Sequence, residues 1–281
     1  MEIMRIPRLM QDTALTARMK GRSVGFVPTM GALHEGHLSL VRASRQENDL
    51  TVVSIFVNPT QFNDPRDFDL YPRDADRDMK VLAAVAVDVV FLPAPEAIYP
   101  PGHATSVEVG GGIAERLCGA ARPGHFRGVA TVVTKLLGIV LPKRAYFGLK
   151  DYQQCLVVKR LVRDLYLPVE VVACPTRREH DGLAMSSRNE RLNARQRAAA
   201  PALYAELSRA AEGLRAGGLT PAKAAKALAS ALASATEFTG LDYAGVYDPA
   251  TLEPLGKFEG RAVVAAAVHM GDVRLIDNIL I

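Results

Sequence analysis

The chain has 281 residues, 49% hydrophobic and 23% charged with both signs interspersed, which excludes disorder and allows one large domain plus a smaller one. A net charge of only +4 over this length gives no reason to expect a nucleic-acid partner, and a basic pocket for phosphate accounts for it equally well. Cys118, Cys155 and Cys174 form no CxxC pair, and no apolar run reaches signal-peptide or bilayer length, so a soluble cytoplasmic protein without disulfides, zinc or membrane partner is expected.

Taken in chain order, residues 24–28, 51–57, 88–92, 145–148 and 169–172 are short runs rich in Val, Ile and Phe, the composition of buried strands. Residues 37–45, 74–84, 128–140 and 152–165 carry a helical period between them. Strands alternating with helices build stacked βα units with right-handed crossovers, so a Rossmann-like, doubly wound parallel sheet is expected over residues 1–180. The texture then changes. Residues 194–215 and 221–236 are alanine-rich helical stretches parted by Gly217 and Gly218, with Thr220 and Pro221 as a helix start. Three β-like runs, 241–246, 261–269 and 273–281, follow. Residues 181–281 are therefore expected to form a smaller α+β lid domain.

Three stretches carry candidate chemistry. The first predicted strand runs into Pro28-Thr29-Met30-Gly31-Ala32-Leu33-His34-Glu35-Gly36-His37 and then directly into a helix. In an open parallel sheet, ligands sit beyond the carboxyl ends of strands, where a helix start offers backbone N–H groups and a positive dipole to phosphate. Two histidines three apart can also simply cap a helix, and without further His or Cys ligands they are a weak zinc signal. The second stretch is Phe147-Gly148-Leu149-Lys150-Asp151, where Lys150 supplies a mobile charge for a β- or γ-phosphate. The third is Asp181-Gly182-Leu183-Ala184-Met185-Ser186-Ser187-Arg188-Asn189, whose hydroxyls and guanidinium suit a loop over a triphosphate and which, standing alone, reads as an ordinary polar linker.

In combination, the strand, glycine turn and His-x-Gly-His element resembles the HIGH signature of the nucleotidylyltransferase superfamily, and residues 185–189 resemble its KMSKS loop. Three further motifs complete the picture: Phe56-Val57-Asn58-Pro59-Thr60-Gln61-Phe62, Arg122-Pro123-Gly124-His125-Phe126-Arg127-Gly128-Val129-Ala130-Thr131-Val132-Val133, and Gly148-Leu149-Lys150-Asp151-Tyr152-Gln153-Gln154. In order and spacing these resemble the pantothenate synthetase family over residues 24–193, with the C-terminal third similar in length and texture only.

The resemblance implies an ATP-dependent ligase that activates pantoate as an adenylate and passes it to beta-alanine, with magnesium beside ATP and a homodimeric assembly. Carried over residue by residue, it implies ATP contacts at Met30, Gly31, Ala32, Leu33, His34, Glu35, Gly36, His37, Gly148, Leu149, Lys150, Asp151, Arg177, Met185, Ser186, Ser187 and Arg188. Of these, His34, His37, Lys150 and Arg188 would carry the catalytic work, Gln61 and Gln154 would bind pantoate, and Asp78 would contact the metal. Met30, Phe62, Val132 and Val133 would form the apolar wall for the dimethyl group of pantoate. The chain departs from the family pattern at Arg177, usually aliphatic, and at Thr60, often Met, which could reshape the pocket wall. The competing readings are another adenylyl-transferring enzyme of the superfamily, which would not need Gln61 and Gln154, and a non-catalytic nucleic-acid binder, which would need basic residues interleaved with aromatics.

Overall fold

A computed structural model describes residues Met1–Ile281, which divide into two compact units. The first comprises Met1–Val109, Arg122–Leu149 and Gln154–Pro175; the second comprises Gly110–Ala121, Lys150–Gln153 and Thr176–Ile281.

The first unit is built on six parallel strands: β1 (Glu2–Met4), β2 (Val24–Thr29), β3 (Leu50–Ile55), β4 (Val89–Phe91), β5 (Arg144–Gly148) and β6 (Glu170–Cys174), in the spatial order β1-β4-β3-β2-β5-β6. Every residue of β3 is buried, the condition that an apolar strand with neighbours on both edges and helices on both faces satisfies. β2 pairs with β3 from Val24↔Leu50 to Thr29↔Ile55 and with β5 at Gly25↔Arg144 and Phe26↔Ala145. The order reverses direction between β2 and β5, so their carboxyl ends flank the crevice where such sheets bind ligands. The longer helices are α1 (Pro7–Met19), α2 (Glu35–Glu47), α3 (Ala75–Ala84), α4 (His125–Val140) and α5 (Tyr152–Asp164).

β1 and α1 have no counterpart among the sequence expectations. β1 pairs with β4 through three residues, too few to display an alternation, and α1 turns only Met10, Ala14 and Ala17 inward.

In the second unit, β7 (Gly240–Tyr247), β8 (Val263–Met270) and β9 (Val273–Leu280) form an antiparallel sheet with β8 in the middle. α6 (Ala194–Ala199), α7 (Ala202–Arg215) and α8 (Pro221–Ser234) accompany it, and Leu203, Leu207, Leu214, Leu228 and Leu232 share one core with Val264, Ala266 and Val268 of β8. The helical stretch expected over 194–215 is two helices, because Pro201 has no N–H to donate to the preceding turn. Thr220 caps α8 as its sequence suggests, its hydroxyl accepting from the Lys223 N–H at 3.3 Å. No helix is long and apolar enough to cross a membrane.

Candidate active site

Beyond β2 the backbone turns sharply. Gly31 has φ +83° and Ala32 φ +48°, the left-handed region that costs a side-chain-bearing residue of order 1 kcal/mol or more. A Cβ on Gly31 would lie 2.9 Å from Asp78 Oδ2 and 3.1 Å from Ile55 Cγ2, so space and φ both require glycine there. What holds the turn is Asp78, near the start of α3 and 1% exposed, whose two oxygens accept the N–H groups of Ala32 at 2.9 Å and Leu33 at 2.8 Å. Burial pushes its carboxyl above the ordinary range, and those two bonds pull the other way.

His34 is the N-cap of α2. Its Nδ1 accepts from the Gly36 N–H at 3.1 Å, while Nδ1 of His37 accepts from the His34 N–H at 3.4 Å, a capping box made by two imidazoles. The capping reading and the functional one are therefore not rivals. An Nδ1 that accepts must leave the proton of a neutral ring on Nε2, so the cap fixes both histidines as Nε2–H donors. The rings lie 4.1 Å apart, centroid to centroid, at the helix end that carries the positive dipole. Glu35 pairs with Arg42 along the same helix.

Asp78, the acid expected to contact the metal, spends one lone pair of each oxygen on this turn. Its carboxylate is buried and committed to the turn at both oxygens, and no group of three His, Cys, Asp or Glu side chains is arranged to hold a metal ion. The structure gives Asp78 the task of fixing the Gly31–Leu33 backbone.

After β3, Gln61 ends a short 3-10 turn, Pro59–Gln61, capped by Asn58. Gln61 is 9% exposed, its Nε2 lies 3.0 Å from Sδ of Met30, and its backbone oxygen accepts from His125 Nδ1 at 2.8 Å and Arg122 at 3.2 Å. The same turn touches α4 at Gly128, where a Cβ would come within 2.3 Å of the Thr60 carbonyl oxygen. Val132 and Val133 are buried on α4, while Phe62 is half-buried against Phe68 and Tyr71. Gln154, half-buried in the first turn of α5, contrasts with its neighbour Gln153. The Gln153 amide is spent on the 110–121 segment, donating to the carbonyls of Ile113 and Arg116 and accepting from the Cys118 N–H.

In the second unit, Lys150 is 18% exposed at its side chain, 3.8 Å from Asp151, and its carbonyl accepts from Asn278 at 2.9 Å. Residues 177–185 form a tight hairpin: the Glu179 N–H bonds to Leu183 and the Met185 N–H to Arg177, whose exposed side chain leaves its carbonyl in that bond. Arg178 braces it. Its guanidinium grips Asp277 at 2.5 and 3.0 Å, donates to the Gly182 carbonyl at 3.1 Å, and stacks 3.7 Å over the Tyr204 ring. Burial raises the Asp277 carboxyl, with Arg178 opposing. Arg197 adds bonds to Glu179 at 2.7 Å and Asp181 at 2.6 Å. From this base, Ser186 caps the 3-10 turn Ser187–Arg191, accepting from the Arg188 N–H; Ser187 is buried and Arg188 half-buried.

Sequence reasoning assigned no role to Asn58, Tyr99, Arg178 or Asp277. Asn58-Pro59 is a visible turn signal, but two of the Asn58 partners, Tyr99 and Gly128, lie 41 and 70 positions away.

The family model described as pantoate-beta-alanine ligase matches residues 2–280. A pantothenate synthetase from Thermodesulfovibrio yellowstonii is 50% identical over 281 residues, with all of both chains covered, and one from Moorella thermoacetica is 51% identical, with 100% of this chain and 99% of the relative covered. The crystal structure of pantothenate synthetase from Thermus thermophilus superimposes with a TM-score of 0.93 at 46% identity over 99% of each chain. A pantoate-beta-alanine ligase from Francisella tularensis, complexed with beta-gamma ATP and beta-alanine, gives 0.81 at 38% identity over 100% of this chain and 97% of the other.

Proposed function

The chain belongs to the pantoate-beta-alanine ligase family, and on that premise we propose how its residues divide the work of ATP-dependent ligation. The observation that carries the proposal is the imidazole capping box after β2, which fixes two Nε2–H donors at the positive end of α2 beside the switch point of the sheet.

In the first step, a carboxylate oxygen of pantoate bonds to the α-phosphorus of ATP, and the bond from that phosphorus to the bridging oxygen breaks, its electron pair leaving with pyrophosphate. The carboxylate is already ionised, so no general base is needed. The charge that grows on the departing phosphates is taken up by His34 and His37 and, in our assignment, by Lys150 and Arg188. Met30 to His37, Gly148 to Asp151, Arg177 and Met185 to Arg188 contact ATP, and Gln61 and Gln154 hold pantoate against the apolar wall of Met30, Phe62, Val132 and Val133. In the second step, the neutral amine of beta-alanine attacks the acyl carbon, the acyl C–O bond breaks, AMP departs with its electron pair, and the proton left on the new amide nitrogen passes to solvent or to the departing phosphate. The beta-gamma ATP and beta-alanine of the Francisella complex support two members of this substrate set. We extend the reading, on the family resemblance, to a homodimer in the cytoplasm and to a magnesium ion beside the ATP phosphates, with Asp78 the acid that would reach it.

Exchange of labelled pyrophosphate into ATP should require pantoate and proceed without beta-alanine. Exchange that strictly requires beta-alanine would exclude a separate adenylate step.

A further inference from the structure

The Gln61 amide is oriented by a chain of bonds whose direction two backbone groups decide. Asn58 is 1% exposed, and one of its terminal atoms receives the Thr60 N–H at 3.3 Å, the Thr60 hydroxyl at 2.9 Å and the Tyr99 hydroxyl at 2.9 Å. A backbone N–H only donates, so that atom is the carbonyl oxygen. Its NH2 then faces the other way, 3.2 Å from the Gly128 carbonyl, which only accepts, and 2.9 Å from Gln61. The Gln61 atom that meets this NH2 must in turn be Oε1. Its own NH2 is left pointing to the opposite side, where its neighbour is the Met30 thioether at 3.0 Å, a weak acceptor that a substrate oxygen outcompetes.

Tyr99 is itself held in place. Its ring stands 5.1 Å from His103, edge to face, and 6.2 Å from Phe56, with the Lys135 ammonium 4.8 Å from its centroid. Burial raises its phenol above the ordinary value, so the hydroxyl stays a donor throughout the physiological range.

We propose that Thr60 and Tyr99 are positioning residues that lock Asn58, and through it fix Gln61 as a hydrogen-bond donor only, so that this side of the pocket selects an acid presenting an acceptor oxygen. The proposal rests on Gln61 facing pantoate. A free glutamine amide offers a substrate both a donor and an acceptor; the locked one offers the donor. An analogue with an ammonium in place of the hydroxyl that Gln61 meets sets N–H against N–H, and the locked amide cannot rotate to receive it.

The test uses the full chain in pantoate-dependent pyrophosphate exchange. Wild type without pantoate-dependent exchange would defeat the functional reading itself; the remaining outcomes concern only the lock. Thr60→Val and Tyr99→Phe should each raise KM for pantoate about 3-fold, and together about 10-fold, the scale of losing one and then two modest hydrogen bonds. KM for ATP should stay within twofold. Discrimination between pantoate and its 2-ammonium analogue should narrow in the double variant, because an Asn58 amide held only by the Thr60 N–H and the Gly128 carbonyl lets Gln61 present its oxygen more often. Thr60→Ser combined with Tyr99→Phe should return to the level of Tyr99→Phe alone. An unchanged pantoate KM in the double variant, equal rises for pantoate and ATP, or unaltered discrimination would each overturn the proposal. If the double variant does not fold, Thr60→Val decides by the same readings, since Thr60 is exposed and its loss leaves the core intact.

Discussion

In the first unit, the turn after β2 is fastened by a single buried carboxylate, Asp78, to two neutral backbone N–H groups; in the second, the 177–185 hairpin is fastened by charge against charge, Arg178 on Asp277 and Arg197 on Glu179 and Asp181. The two turns face different requirements. The first has backbone amides to satisfy and a helix dipole nearby, so one anion without a cation suffices. The second has few regular backbone bonds, so its shape depends on paired side chains: the Arg197 pairs lie nearer solvent, while losing Arg178 would leave Asp277 buried and charged.

The comparison breaks most visibly at Arg178. Arg178→Ala leaves Asp277, 3% exposed, without its cation and should destabilise the chain by about 3–5 kcal/mol in urea titration. A loss under about 1 kcal/mol would show that the hairpin does not depend on its ion pair.

Lys150→Ala tests chemistry apart from scaffold. Adenylate formation should slow by ~100-fold or more, the scale of one transition-state donor, with the melting temperature within a few degrees of wild type. Full activity in this variant would remove Lys150 from the assignment.

Asp78→Asn keeps the shape but replaces one acceptor oxygen by a donor, leaving an Ala32 or Leu33 N–H unpaired at a cost of about 1–3 kcal/mol. Stability and ATP affinity should fall, and the magnesium concentration for half-maximal exchange should rise. An unchanged concentration would confine Asp78 to the turn.

The smallest effects belong to the glutamines. Gln61→Ala and Gln154→Ala should each weaken pantoate by ~10-fold and leave ATP affinity, titrated by calorimetry without pantoate, close to wild type. Equal losses for both ligands would make these residues supports of their turns.

Much of this arrangement could be anticipated from short-range pattern. Apolar strands alternating with helices imply a parallel sheet, and a strand, glycine turn and His-x-Gly-His run ahead of a helix marks the ligand end of that sheet, because periodicity and dipole direction are local properties. That local context nominates His34 and His37, whereas Gln61 and Gln154 are named only through the family resemblance. What lay beyond it depends on neighbours distant in sequence. β1 is only three residues long and exists because β4 lies beside it, 87 positions later in the register Glu2↔Val89. Asp78 could be named as an acid of interest, but only the fold shows that Ala32 and Leu33, 46 and 45 positions away, already occupy both of its oxygens. Asn58 and Gln61 are three residues apart, yet which way their amides point is set by Tyr99 and Gly128, 41 and 70 positions from Asn58. A sequence specifies which groups can donate or accept; the direction of a hydrogen bond follows from what surrounds both ends, and that is a property of the tertiary structure.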